Sequence, residues 1–250
     1  MARMSDRHYP NPPITEAVLA LRVPTSEIAV SELLKMSAGE EAAYPTAQPL
    51  QMIMSKMTVG PTPAASTTQQ QTGFVFRRQD GRYIYQARLD GFTISQLPRY
   101  SDWADFRTEA SLYWQRYQEI TQPAGVTRTG LRYVNRIDVP IAEGQEHFEV
   151  TEYLLTAPKI APELPQMMQG FFMQIALPWP DTECRAMITE TIIPPARPGF
   201  FSLILDIDTF REYPTPATHE QAWQCLEELH SLKNKVFEAC ITDKARELFK

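Results

Sequence analysis

The chain has little cysteine, little glycine and no long apolar run, and each shortage removes a class of protein. Its three cysteines, Cys184, Cys225 and Cys240, are an odd number without close pairing. That argues against the disulfide framework that staples small secreted domains. Cys225 and Cys240 fall on the apolar side of a helical pattern and read as small buried hydrophobes. The ten glycines build neither a phosphate-cradling Gly-Lys-Ser/Thr loop nor a dinucleotide-binding pattern. There is no G-x-S-x-G elbow and no H-E-x-x-H pair. No apolar run approaches the roughly 18–20 residues that span a bilayer. The polar stretch from Met1 to Pro13 has no signal-peptide apolar core, so a cytoplasmic location is expected by default.

Basic charge is also short. Against 30 acidic residues stand 24 basic ones, a net charge of −6. The deficit lies wholly after Gly125, where 12 basic residues face 18 acidic ones; before it the count is 12 to 12. Duplex nucleic-acid binders carry a basic face, so duplex binding is disfavoured. The four histidines, His8, His147, His219 and His230, offer no metal set. His219 and His230 share a helix face but stand about 16 Å apart along it.

What is present is an ordinary globular composition, 43% hydrophobic and 22% charged. Thr15 to Val23 reads as a strand. A helix is expected from Pro24-Thr25-Ser26, with Ile28, Val30, Leu33 and Leu34 as its apolar side and Gly39 as its stop. Leu50 to Val59 alternates as a half-buried strand. Gly60 to Thr72 is low in complexity and reads as a long, mobile hairpin loop. The methionines Met52 to Met57 and Met167-Met168 read as core rather than contact surface. Gly73–Arg78, Arg82–Leu89 and Phe92–Leu97 form three antiparallel strands. Asp80-Gly81 and Asp90-Gly91 turn between them, with glycine supplying positive φ.

Ser101 to Ile120 is an amphipathic helix with an aromatic stripe, Trp103, Phe106, Tyr113, Trp114 and Tyr117, ended by Pro123. The same order then recurs. Thr127–Val139 is a strand and Phe148–Leu155 a short helix. Gln166–Leu177, Glu183–Ile193 and Phe200–Asp208 are strands. A long helix starts near Thr218, with a break at Thr242-Asp243. The expected fold is therefore α+β, with duplicated strand–helix–antiparallel strands–helix halves over residues 1–125 and 126–250, joined in one continuous unit. Antiparallel sheets covered by helices on one face bury such patterns. The order resembles the duplicated saddle of the TATA-box-binding fold and, more loosely, a helix-grip arrangement.

Two residue sets are candidates for function. In Gly130 to Pro140 a period of two places Arg132, Val134, Arg136 and Asp138 on one side of a strand. Tyr133 and Asn135 face the other way, and a buried Asn135 needs hydrogen-bond partners. Arg132, Asn135 and Arg136, with Arg88 and the nearby Tyr100, make a candidate binding set, its arginines suited to a carboxylate, a phosphate or an acidic partner. The competing reading pairs these arginines with Asp90, Asp138 and helix carboxylates. The second set is Asp206 and Asp208, on one side of their strand, with Asp138 as a third carboxylate. Three such groups suit Mg²⁺-dependent phosphoryl or nucleotidyl transfer, although the Gly-Ser signature of nucleotidyltransferases does not precede them.

Several motifs together carry a resemblance. They are Asn11-Pro12-Pro13-Ile14 with Glu16-Ala17-Val18, then Asp90-Gly91-Phe92 followed by Tyr100, Trp103 and Phe106. Leu131-Arg132-Tyr133 with Asn135-Arg136-Ile137 follows, and the closing run goes from Leu229-His230 through Asn234 and Phe237 to Leu248-Phe249. The chain resembles, over nearly its whole length, a sporadically distributed bacterial family of about 250 residues whose function is not characterised. The resemblance implies a patchy occurrence of the kind shared by defence or toxin–antitoxin cargo. It supplies no catalytic residues and no cofactor.

The leading expectation is a non-enzymatic protein-binding module, for which Arg and Tyr are favoured anchors. A homodimer is compatible with it. The alternatives are the metal-dependent transferase and a single-stranded nucleic-acid binder that stacks bases on aromatics.

Overall fold

The computed structural model describes residues 7–58, 64–141 and 148–250. Over these residues the chain folds as α+β around one antiparallel nine-stranded sheet. In sequence order the strands and helices are β1 (Ile14–Arg22), β2 (Thr46–Thr58), β3 (Ala64–Arg77), β4 (Tyr83–Arg88), β5 (Gly91–Gln96), α1 (Trp103–Thr121), β6 (Val126–Pro140), β7 (Phe172–Trp179), β8 (Cys184–Ile193), β9 (Phe200–Ala217), α2 (His219–Cys240) and α3 (Asp243–Glu247). Short 3₁₀ helices cover Val30–Ser37, Val150–Glu152 and Pro180–Thr182.

Across the sheet the order is β2-β3-β4-β5-β1-β6-β9-β8-β7. β1 and β6 pair at the centre, Leu19 opposite Leu131. From this seam β5, β4, β3 and β2 run outward on one side, and β9, β8 and β7 on the other. β6 shows how the sequence sets the layers. Leu131, Tyr133, Asn135, Ile137 and Val139 are buried, while Arg132, Val134, Arg136 and Asp138 face the opposite side, as a period of two requires. The aromatic stripe of α1 and the aliphatic stripe of α2 pack on the buried face.

Local chemistry fixes the helix ends. Asp102 caps α1 by accepting from the Asp105 amide at 2.8 Å. Thr218 and Gln221 form a reciprocal capping box on α2. Ile241 is extended, and Thr242 then caps α3 through the Ala245 amide at 3.2 Å, which accounts for the expected break. At the two tight turns the glycines work differently. Gly81 has φ +71°, whereas at Gly91 an added Cβ would lie 2.6 Å from the Leu21 carbonyl oxygen. Gly91 is thus needed for close backbone approach to β1, not for positive φ.

Several expectations need correction. The segment beginning at Pro24 forms a 3₁₀ helix over Val30–Ser37, with Leu33 and Met36, three residues apart, buried on one side. Phe148–Leu155 holds only a single 3₁₀ turn before Leu154 bridges to Ile241. Most of the expected Gly60–Thr72 loop is strand. From Ala64 onward it pairs in register with β2, Ser66 opposite Lys56 and Gln70 opposite Met52. Threonine is β-branched and glutamine is uncharged, so a low-complexity run of them extends a ribbon as well as it fills a loop. Residues 59–63 lie outside the described residues, as does His147.

The β2 methionines are not core: Met52, Met54 and Met57 are exposed, as is Met167. Met168 is partly buried against the core. β7 begins at Phe172 rather than Gln166. β9 runs on to Ala217 through Pro214 and Pro216, beyond its last pairing with β8, where its free edge tolerates proline.

Candidate functional site

The two halves of the candidate binding set lie on opposite faces of the sheet. On the outer face, Arg132 grips Asp206 with two hydrogen bonds, Nε to Oδ1 at 2.8 Å and Nη2 to Oδ2 at 2.5 Å. Arg128 reaches Asp208 at 3.0 Å. Arg136 donates to Asp138 at 2.9 Å and to the Ser202 hydroxyl at 3.0 Å. Arg88 holds Asp90 at 2.7 and 3.0 Å. The arginines and aspartates therefore form rows of closed ion pairs. Bonding to Asp206 raises the Arg132 pKa. Burial raises that of Asp208 against the pull of Arg128 and Arg132. At Asp138 burial is outweighed by the Ser202 hydroxyl and Arg136, which bring the carboxyl below its usual range.

The three aspartates are held by three different arginines. Asp138 lies opposite Ser202, four residues along β9 from Asp206, a separation of about 13 Å. It does not join the other two as ligand to one ion. Among the described residues, the group of His, Cys, Asp and Glu side chains close enough to share a metal is Cys184, Cys225 and Glu228.

Tyr100 and Asn135 belong to the helix side, where the structure opens a cleft of about 780 Å³ at the seam. Its walls come from the segment Arg7–Ile14, the start of α1, β6 and the second half of α2. Asn135 is 2% exposed and donates to the Leu205 carbonyl at 2.9 Å and the Tyr133 carbonyl at 3.3 Å. The need for partners at this position is met by backbone. The Tyr100 and Tyr133 hydroxyls meet at 2.9 Å. Lys233 Nζ lies 3.8 Å from the centre of the Tyr133 ring, a cation–π contact. Burial drives both tyrosine pKa values far upward, so these hydroxyls stay protonated.

Aromatic side chains finish the cleft. Trp103 stacks on His230, with ring centres 4.6 Å apart and planes within 6°, and its indole donates to Glu227 at 3.0 Å. Tyr9 donates to Glu238 at 2.6 Å and sets its ring edge-on to Phe237 and Phe249. The segment that carries it is tied to the end of the chain, since Asn11 bonds to the Phe249 and Lys250 carbonyls. Arg7, Lys233 and Lys235 line the cleft against Asp102 and Glu238, and Glu238 is already engaged by Arg246 at 3.1 Å. Cationic side chains thus outnumber carboxylates three to two along the cleft, on a chain of net charge −6.

Sequence reasoning named Tyr100 and Asn135 but missed Trp103, His230 and Lys233 as neighbours of one cleft. Trp103 and His230 lie on different helices, and a helical stripe alone reads as core. It also missed the meeting of Cys184, on β8, with Cys225, on α2. The two buried sulfurs lie within 4.8 Å of each other, and their contact lowers the Cys184 pKa from its ordinary value and raises that of Cys225. His219 meets Trp114 edge-on, a packing contact.

No protein-family model matches this chain, and no curated protein matches it at a significant level.

Proposed function

We propose that this chain is a non-enzymatic protein-binding module that receives a segment of its partner in the cleft at the β1/β6 seam. The observation that carries the reading is the cleft itself: a concave site of about 780 Å³, walled by Tyr100, Trp103 and Phe237 and edged by Arg7 and Lys235. Aromatic and arginine side chains are favoured interface anchors. The cationic edge suits an acidic partner segment. The polar groups of the floor are spent on structure. Asn135 serves two backbone carbonyls, and the two tyrosine hydroxyls, held protonated, are suited to hydrogen bonding rather than to acting as bases. Motifs that carry the family resemblance also converge here, Pro12-Pro13-Ile14, Tyr100, Trp103, Asn135, His230 and Phe237 all lining the cleft.

The same reading takes the protein as a cytoplasmic member of that bacterial family, accessory to a defence or toxin–antitoxin system. It takes the fold as an internal duplication of the TATA-box-binding kind. The near-mirror strand order about the seam, β1-β5-β4-β3-β2 against β6-β9-β8-β7, and a helix after the last strand of each half support it. Among the described residues no helix is long and apolar enough to cross a membrane.

A second surface has its own support. On the outer face the Arg132 side chain is 49% exposed although paired with Asp206, so it presents its guanidinium in a fixed orientation to a flat partner. The transferase reading has less behind it, because Asp138, Asp206 and Asp208 are each neutralised by an arginine.

Native mass determination of the protein gently purified from its own host separates these readings. Wild type is expected as a heteromeric complex of fixed stoichiometry. Lys235→Glu, a charge reversal at an exposed helix position, is expected to lose the partner and keep the fold. Loss instead in the double variant Arg132→Ala, Arg136→Ala moves the contact to the outer face. A wild type that remains a monomer or homodimer refutes both.

A further inference from the structure

Cys184 opens β8 and Cys225 lies in the first half of α2, where that helix packs on the strand. Their sulfurs and a carboxylate oxygen of Glu228 all lie within 4.8 Å of one another. Cys225 and Glu228 are three residues apart, so both project from one face of α2. The thiols are buried and Glu228 is exposed, which leaves the cluster closed on the protein side and open to solvent on the other. Two thiolates with one carboxylate form a mixed soft and hard donor set, the kind that takes zinc or a similar borderline cation.

A second layer of groups holds the sulfurs in place. The Thr182 carbonyl accepts from the Cys184 thiol at 3.4 Å. The Tyr213 hydroxyl, which lowers the Cys225 pKa from beside it, lies 3.3 Å from the Thr129 hydroxyl. Such outer partners orient metal ligands and tune them. The nearby Arg211 guanidinium is offset by its ion pair with Glu183.

We infer that Cys184, Cys225 and Glu228 form a site for one thiophilic divalent cation, with Zn²⁺ as the natural probe and a fourth coordination position open to solvent. Neither the cleft nor the outer-face arginines take part in it. Bound metal ties β8 to α2 and stabilises the wing that contains them. Because thiolates are the ligands, binding releases protons and weakens as the pH falls.

The test uses the full chain, reduced and stripped of metal. One equivalent of Zn²⁺ is expected to raise Tm and to shield Cys184 and Cys225, but not Cys240, from alkylation read by peptide mass. Co²⁺ is expected to give a thiolate-to-metal charge-transfer absorption. Cys225→Ser is expected to abolish all three signals, and Glu228→Gln to weaken Zn²⁺ affinity about tenfold or more. Should Cys225→Ser fail to fold, the alkylation pattern of the wild type decides alone. The inference is overturned if Zn²⁺ does not bind at one equivalent, if it leaves Cys184 and Cys225 as reactive as before, or if Cys225→Ser binds it unchanged.

Discussion

The two wings of the sheet fill similar space with different chemistry. In the wing of β2 to β5 under α1, Tyr44, Phe76, Tyr85 and Tyr113 stack and meet edge-on, with ring centres 4.6–5.3 Å apart. The Tyr113 hydroxyl donates to Glu40 and the Tyr44 hydroxyl reaches Glu109 at 3.5 Å, whereas the buried Tyr85 hydroxyl has no hydrogen-bond partner among the described residues. In the wing of β7 to β9 under α2, the buried residues are mostly aliphatic, among them Ile188, Leu203, Leu205, Ile207, Leu226 and Leu229. That wing also encloses Cys184, Cys225 and Cys240, and Glu190, a fully buried carboxyl with no hydrogen-bond partner among the described residues. The first wing is spent on packing. The second keeps groups that packing alone does not require, and those are where chemistry is to be sought.

The sharpest way to break this contrast is to truncate the aromatic wing. Tyr85→Ala is expected to cost about 3–5 kcal/mol, since it removes a fully buried ring from the centre of a stack. Denaturant unfolding reads the loss, and a cost under about 1 kcal/mol would mean the aromatic wing is not the stabilising one.

Glu190 tests the other wing through pH. Burial raises its pKa from 4.5 to about 7. Below pH 4.5 both folded and unfolded chains hold the proton and the group is neutral in the balance. As the pH climbs toward 7 the unfolded chain ionises first, so stability falls, and above 7 the deficit is constant. Glu190→Gln is expected to gain about 2–3 kcal/mol relative to wild type between pH 4 and pH 8. A difference between the two proteins that does not change with pH contradicts the assignment.

The helix caps serve as a ruler common to both wings. Asp102→Ala in α1 and Thr218→Ala in α2 are each expected to cost about 1 kcal/mol, and unequal losses would expose a wing that unfolds separately. The smallest effect belongs to the outer face. Arg132→Ala is expected to cost about 1 kcal/mol or less, because the Arg132 side of its ion pair is 49% exposed, although Asp206 is 13% exposed.

Much of the sheet could be read from the chain because β-pattern and turn chemistry are local. Alternation in β6 placed Arg132 and Asn135 on opposite faces, and the Asp-Gly pairs located both hairpins of β3, β4 and β5. What misled was weak local signal. The Thr/Gln run of β3 has no hydrophobic alternation, because this part of the ribbon faces water on both sides. The strand expected to end at Asp208 continues as β9 to Ala217, along a free edge where no hydrophobic alternation marks it. For the candidate site, sequence showed the character of each residue but not the company it keeps. Tyr100, Trp103, Asn135 and His230 become one cleft only when α1, β6 and α2 are assembled. The pairing of Arg132 with Asp206 depends on the register of β6 and β9, which no spacing within either strand encodes.

In the proposed function the cleft, rather than the outer face, meets the partner. A photo-crosslinking side chain placed at position 235 or at position 132, in the protein expressed in its own host, tests it most directly. One covalent adduct of discrete mass is expected from position 235 and none from position 132. An adduct from position 132 alone, or none from either, would contradict it.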